Sequence, residues 1–287
     1  MPIVSVIIPV FNREKFITNT LNSLKKQNHR PLEVIIVDDA STDNTVSRIN
    51  TFIQNNSDKK FNLFLHSNKS NKGACFCRNY GISNSSGKYI QFLDSDDFLH
   101  ANKIKHQVQS LESNNSKLAI SDYQYFKNNV VIKSCKNDGN LLKRISLGWS
   151  VYTSSPLINS NLIKGELKWN EKITFLQDKD FLFKVLMLSG EYTHVPGFTS
   201  YYVQHNDNQI SDLYIIKKPQ FFTIIYSRLF FLFSNLFKMK FQCIFYTCVG
   251  VFETVFEFIL YYIKKGIKTF FGKKIFNQIK NILRNNN

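Results

Sequence analysis

Four short apolar runs, separated by stretches of helical spacing, constrain this chain more than any other feature. "IVSVIIPV" has the continuous, β-branched character of a strand buried on both faces. "FNREKFITNTLNSLKKQ" then brings Phe16, Ile17, Thr20, Leu21 and Leu24 to one helical face, with Asn12 available as its cap. "LEVIIVDDAS" reads as a second strand, and Ser41, Thr42 or Asp43 can cap the helix after it. "FNLFLHS" is a third strand. A helix from about Gly73 to Ser85 and a turn at Gly87 lead into a fourth, "YIQFLDSDD". Strands and helices alternating at these intervals predict an α/β fold with a doubly wound, mostly parallel sheet. Ligands of such sheets bind beyond the carboxyl ends of the strands.

Both aspartate clusters, Asp38 with Asp39 and Asp94 with Asp96 and Asp97, fall at expected carboxyl ends. Carboxylates that close repel one another unless a cation is present. A divalent ion is the simplest remedy, and oxygen donors favour Mg²⁺ or Mn²⁺ bridging a diphosphate. The alternative is a solvated, helix-capping turn, since Asp and Ser favour such places.

From about 101 to 212 the pattern is less regular. "NKIKHQVQSLESN" predicts a helix, "KLAISDYQYF" a strand and "DKDFLFKVLMLSG" an amphipathic helix that Gly190 terminates. No repeat or Pro/Gly/Ser-rich linker divides the two halves. The five cysteines form an odd number in a chain without an evident export signal, so free thiols in a reducing compartment are expected.

The net charge of +16 admits nucleic acid, anionic lipid or anionic substrates as partners. Its distribution discriminates among them. Residues 213–287 hold ten Lys and two Arg against two Glu, a surplus of +10, together with 14 of the 27 Phe residues. Two apolar stretches there approach the length of a bilayer span, but Arg228 interrupts the first and Glu253 and Glu257 the second. Each charge at mid-bilayer costs about 2.5–3.5 kcal/mol on insertion scales. Helices lying on an anionic membrane surface, or associating with one another, are expected instead.

The segments "VSVIIPVFN", "EVIIVDDASTDNT", "NKGACFCRNYGISNSSGKYIQFLDSDD", "FLQDKDFLFKVLMLSG" and "YYVQHNDNQIS" together resemble a family 2 glycosyltransferase of GT-A fold, over residues 1 to about 210. The resemblance implies that Pro9, Phe11 and Asp39 cradle the nucleotide, although Phe11 taken alone is equally a core aromatic. Asp38 binds with them or orients the loop. Asp94 and Asp96 stand in the DxD motif, Asp96 on the metal and Asp94 near metal and ribose. Ser95 between them is counted with the donor-binding residues. Asp97 is equally a cap for the following helix. Arg78 neutralises phosphate or holds an acidic loop. Asp178 matches the general base of inverting enzymes, with Asp180 as the competing assignment and Gln177 in place of the usual Glu. His205 matches a histidine near the diphosphate, as metal ligand or phosphate donor.

The implied architecture is a GT-A domain over 1–212, with a nucleotide-binding half at 1–100 and an acceptor-side half at 101–212. A basic, Phe-rich helical tail over 213–287 would associate with membrane. The implied function is inverting transfer from a nucleotide-diphosphate sugar, UDP-linked, to a lipid-linked glycan. That places the enzyme peripherally on the cytoplasmic membrane face, with homo-oligomerisation as a further role open to the tail. A dehydrogenase is excluded because no GxGxxG follows the first strand. A nucleotidyltransferase would need a Gly-rich basic loop at that point. A catalytically weak scaffold, or a nucleic-acid or membrane binder on the same fold, is the remaining alternative. The tail's apolar runs are too continuous for a solvated stacking platform, and the carboxylates of a working site are all present.

Overall fold

The computed structural model describes residues 1–128, 130–141, 151–164, 167–174 and 176–204. One sheet runs through them in the order β3 (Phe61–Ser67), β2 (Leu32–Asp38), β1 (Val4–Val10), β4 (Tyr89–Phe92), β8 (Pro156–Asn159), β6 (Leu118–Lys127), β9 (Thr193–Gln204) and β5 (Phe98–Leu99), with β7 (Val130–Cys135) attached to β6. Its first half is the expected one. β1, β2, β3 and β4 are parallel. Helices α1 (Ile17–Lys25), α2 (Thr45–Asn56) and α3 (Ala74–Asn84) form the crossovers.

The second half departs from the expected parallel pattern. β8 runs antiparallel to β4 and to β6. β9 is parallel to β6, while β5 and β7 are antiparallel to their neighbours. The sheet is therefore evenly mixed. Parallel neighbours require a crossover connection, whereas the short β8 joins β4 and β6, both earlier in the chain, in antiparallel fashion, and β5 is paired only when β9 returns to it.

Two apolar layers flank the sheet. Val4, Val6, Ile8 and Val10 meet α1, α2 and α4 (Lys103–Ser113) on one face. Ile7, Ile90 and Phe92 meet α3 and α6 (Gln177–Ser189) on the other. Gly81 lets α3 approach closely, because a Cβ there would collide with the Ile7 side chain. The short α5 (Ser160–Ile163) follows β8, with the Asn159 side chain accepting from the Asn161 N–H.

Two local expectations are revised and one is narrowed. Asn12 does not cap α1: it adopts φ 49°, which asparagine tolerates, and the helix begins five residues later. Ahead of α2, Asp43 supplies the bond, accepting from the Thr45 N–H at 3.0 Å. Helix α6 is not amphipathic, for every residue from Asp180 to Met187 is buried. It does end at Gly190, in the left-handed conformation at φ 70°. Cys75, Cys77 and Cys135 are free thiols, and burial pushes the first two up to about 12.

Candidate functional site

The carboxyl ends of β1, β2 and β4 place the candidate residues along one edge of the sheet. Pro9 is buried in β1, opposite Val37. Its missing N–H lies on the β4 side, where the β4 ladder has already ended opposite Ile7, so no sheet bond is lost. Phe11, just past the strand, is 41 % exposed, which rules out the core-aromatic alternative. Asn12 joins two of the edge loops, its side-chain oxygen accepting from the Thr42 N–H at 2.8 Å. Ala40 and Leu176 also adopt positive φ, at 65° and 56°. Strain of this kind is retained where the surroundings enforce it, and both residues border the candidate site.

Asp38 orients its own loop: both carboxylate oxygens accept from the Ser41 N–H at 3.3 Å. Asp39 reaches further. One oxygen accepts from Asn68 Nδ2 at 2.9 Å and the Lys72 N–H at 2.8 Å, and the other from the Gly73 N–H at 2.7 Å. A carboxylate has about four lone-pair sites. Asp39 thus ties the chain entering α3 to the end of β2 and retains acceptor capacity on Oδ2.

Around the DSDD turn the charge is offset by the chain itself. Arg78 Nη2 donates to Asp94 at 2.7 Å, and Arg13 Nε donates to Asp96 at 3.3 Å. Repulsion among these carboxylates therefore does not by itself demand a metal ion, which corrects the simplest reading of the cluster. Arg13 escaped the sequence reading because its partner lies 83 residues away. Its one visible signal was a cation directly after the first strand.

Ser95 is buried, its carbonyl accepting from the Thr20 hydroxyl at 2.9 Å. Asp97 caps no helix. It is buried and accepts from the Val203 N–H of β9 at 2.8 Å. Burial, reinforced by Asp96 and Asp94, holds its carboxyl well above the usual range.

Arg78 also connects the turn to α6. Its Nη1 donates to Gln177 Oε1 at 3.2 Å, and the guanidinium lies 4.4 Å from the centre of the Trp169 ring. Trp169 stacks on Phe181 at 4.2 Å and exchanges two backbone hydrogen bonds with the Asn79 side chain. Asp178, next to Gln177, is partly exposed in the first turn of α6. Burial raises its carboxyl pKa, opposed by the Lys179 N–H and charge and by Arg78, with Asp94 adding to the rise. Asp180 is buried and accepts from Lys184 Nζ at 2.7 Å one helical turn on. Of the two aspartates only Asp178 adjoins the Arg78 bridge. On β6, the Tyr125 hydroxyl pKa is raised chiefly by burial, with a contribution from the charge of Asp178. His205 lies outside the described residues.

Among the described residues no three His, Cys, Asp or Glu side chains gather to hold a metal ion. Asp94 and Asp96 instead offer hard oxygens at a rim. That donor set fits Mg²⁺ or Mn²⁺ bound through one or two carboxylates and completed by phosphate oxygens and water. No described helix is long and apolar enough to cross a membrane.

The family description Glycosyl transferase family 2 matches residues 5–184. An Escherichia coli protein named UDP-Glc:alpha-D-GlcNAc-diphosphoundecaprenol beta-1,3-glucosyltransferase WfgD is 35 % identical over 130 residues, 45 % of this chain and 49 % of that protein. An uncharacterized glycosyltransferase of Haemophilus influenzae is 32 % identical over 146 residues, 51 % of this chain and 53 % of its own. The chain thus spans about half the length of these two relatives. The structure of S. aureus TarS with UDP-GlcNAc matches with a TM-score of 0.68 at 22 % identity, covering 79 % of this chain and 66 % of that one. Pyrobaculum calidifontis PcManGT, in complex with GDP-Man and Mn²⁺, matches with a TM-score of 0.57 at 15 % identity, covering 98 % and 83 %. Both likenesses show a shared fold.

Proposed function

Because this chain belongs to glycosyl transferase family 2, we propose that it transfers a sugar, with inversion, from a UDP-linked donor to a hydroxyl of a growing lipid-linked glycan for a surface polysaccharide. The observation that carries this reading is the Arg78 bridge, which joins Asp94 at the end of β4 to Gln177, the neighbour of Asp178. It unites a carboxylate rim that would take a diphosphate through a divalent ion with a carboxylate whose raised pKa suits a general base. The E. coli relative's name specifies a UDP-glucose donor and a diphosphoundecaprenol-linked acceptor, and TarS is seen with UDP-GlcNAc; both support the donor and acceptor classes.

In this reading Phe11 and Asp39 hold the nucleotide, Phe11 by its exposed ring and Asp39 by its remaining acceptor capacity. Pro9, Asp38 and Ser95 shape the loops around it. Asp94 and Asp96, with His205, would hold Mg²⁺ or Mn²⁺. That ion would supply charge neutralisation on the departing diphosphate. PcManGT's Mn²⁺ supports the choice. Arg13 and Arg78 would contribute positive charge at the same rim. Asp178 takes the proton from the acceptor hydroxyl as that oxygen attacks the anomeric carbon opposite the leaving group. One base suffices, and no covalent intermediate is needed.

We assign residues 1–212 to the catalytic domain, split near residue 100 into nucleotide and acceptor sides. The tail, 213–287, attaches it to the cytoplasmic membrane face through its lysines and phenylalanines. A truncation after residue 212 should then lose sedimentation with phosphatidylglycerol vesicles; equal sedimentation would refute the attachment. The activity is tested by offering the full chain a panel of nucleotide sugars with Mn²⁺ and a short-chain lipid diphosphate carrying N-acetylglucosamine. Transfer from a UDP-sugar with inverted anomeric configuration is expected. Turnover of none of the donors, or a retained configuration, would refute the proposal.

A further inference from the structure

One face of the β6–β9 pair gathers a cluster of tyrosines, Tyr123, Tyr125 and Tyr202, with Tyr152 beside them. Tyr125 and Tyr202 stand directly opposite each other in the strand register, ring centroids 5.1 Å apart and edge to face. Tyr152 meets Tyr202 edge-on at 5.1 Å and stacks on Tyr123 at 5.6 Å. The opposite face holds Phe98, Phe126 and Tyr201 in mutual contact. It is an ordinary aromatic cluster built chiefly of phenyl rings.

Packing alone does not explain the tyrosine face. A rim tyrosine ordinarily buries its ring and wets its hydroxyl, and Tyr125 and Tyr202 are both partly exposed. Tyr152 breaks the pattern. It is 8 % exposed, and its hydroxyl is buried with no hydrogen-bond partner among the described residues. Phenylalanine there would avoid burying a hydroxyl without a partner. That hydroxyl keeps unused bonding capacity, which a ligand or a water molecule can take up.

The neighbourhood indicates which ligand. Val151, the neighbour of Tyr152, packs in one core with Phe181 and Leu182 of α6, the helix that carries Asp178, and the charge of Asp178 contributes to the raised pKa of the Tyr125 hydroxyl. If Asp178 is the base, the acceptor hydroxyl must lie within hydrogen-bond reach of it, so the acceptor ring extends over the surface beside Asp178. A pyranose has an apolar face of axial C–H groups that packs on aromatic rings, and a rim of hydroxyls that seek partners. We propose that Tyr125 and Tyr202 form the platform for the acceptor pyranose, with the Tyr152 hydroxyl bonding to one of its hydroxyls. Tyr202 lies in the segment "YYVQHNDNQIS", but its juxtaposition with Tyr125 and Tyr152, which come from two other segments, is not visible in the sequence.

The inference rests on Asp178 as the base, but its test needs no turnover. Saturation-transfer NMR on the full chain, with UDP and Mn²⁺ present, would use the methyl β-pyranosides of glucose and N-acetylglucosamine as probes. The unmodified chain should pass saturation to the C–H protons of at least one probe. Tyr125→Ala and Tyr202→Ala should weaken that binding at least tenfold, while Tyr125→Phe and Tyr202→Phe, which keep the rings, should weaken it less. Tyr152→Phe should raise the melting temperature of the free protein and still weaken the pyranoside severalfold. A merely structural tyrosine would not produce that pairing. Absence of transfer to either probe, or folded alanine variants that bind as the unmodified chain does, would overturn the platform. Failure of Asp178 as base would show separately, as full transfer activity in Asp178→Asn.

Discussion

Replacing Asp39 by Asn removes one negative charge and almost no volume, so its effect can be worked from the three donors that converge on the carboxylate. The amide oxygen can take the Oδ1 position and still accept from Asn68 Nδ2 and the Lys72 N–H, now as neutral bonds of roughly half the strength. The amide NH₂ then faces the Gly73 N–H, donor against donor, where 2.7 Å now separates donor and acceptor. Losing that charge-assisted bond costs about 1.5–3 kcal/mol, and weakening the other two adds roughly 1 kcal/mol. Partial exposure of Lys72 and Gly73 lets water recover some of this, which leaves about 2–4 kcal/mol. For a domain of this size the melting temperature should fall by about 5–15 °C. The entrance to α3 would loosen, and with it the helix that carries Arg78. UDP affinity, measured by titration calorimetry below the new melting temperature, should weaken by about tenfold or more. A variant that melts within about 2 °C of the unmodified chain and binds UDP within about twofold would refute the role given to Asp39.

Gly81→Ala should lower the melting temperature by about 2–8 °C, because overpacking against buried Ile7 outweighs the gain in helix propensity; Ile7→Ala, destabilising on its own because Ile7 is fully buried, should cost less in the Gly81→Ala background than alone, and strict additivity would show that the two do not touch. Asp178→Asn should stabilise the fold near neutral pH. The raised pKa means that ionisation of Asp178 opposes folding above that value, so the gain should be full there and fade as pH falls towards the unfolded pKa, near 4; thermal melts from pH 4 to 8 showing no such trend would contradict the burial. At pH 8 thiols pushed up to about 12 are almost wholly protonated, so Cys75 and Cys77 should resist iodoacetamide in the native protein while Cys135 reacts; peptide mapping that finds either of the first two alkylated as fast as Cys135 would contradict it.

The parallel half of the fold was legible because strands buried on both faces are written as unbroken apolar runs, and their ends as turns and caps. β8 and β5 were not, for four and two residues carry no periodicity, and their partners lie far along the chain. The failed Asn12 cap has the same origin: the Thr42 N–H that holds its side chain comes from another loop 30 residues on. Asp39, Asp94, Asp96 and Asp178 could be named in advance because each sits in a local motif. What each one touches could not. The structure adds that Arg13 and Arg78 counter the DSDD turn, that Asp97 ties down β9 and that Lys184 occupies Asp180. Every one of these is decided by packing or by partners outside the motif.

The most direct test of the central claim is a single-turnover transfer assay comparing Asp178→Asn with the unmodified chain, at saturating UDP-sugar and Mn²⁺ and with the lipid diphosphate acceptor. The variant should bind the donor as the unmodified chain does and lose transfer by at least about a hundredfold, the scale of a removed general base. Transfer in Asp178→Asn at a rate close to that of the unmodified chain would contradict it.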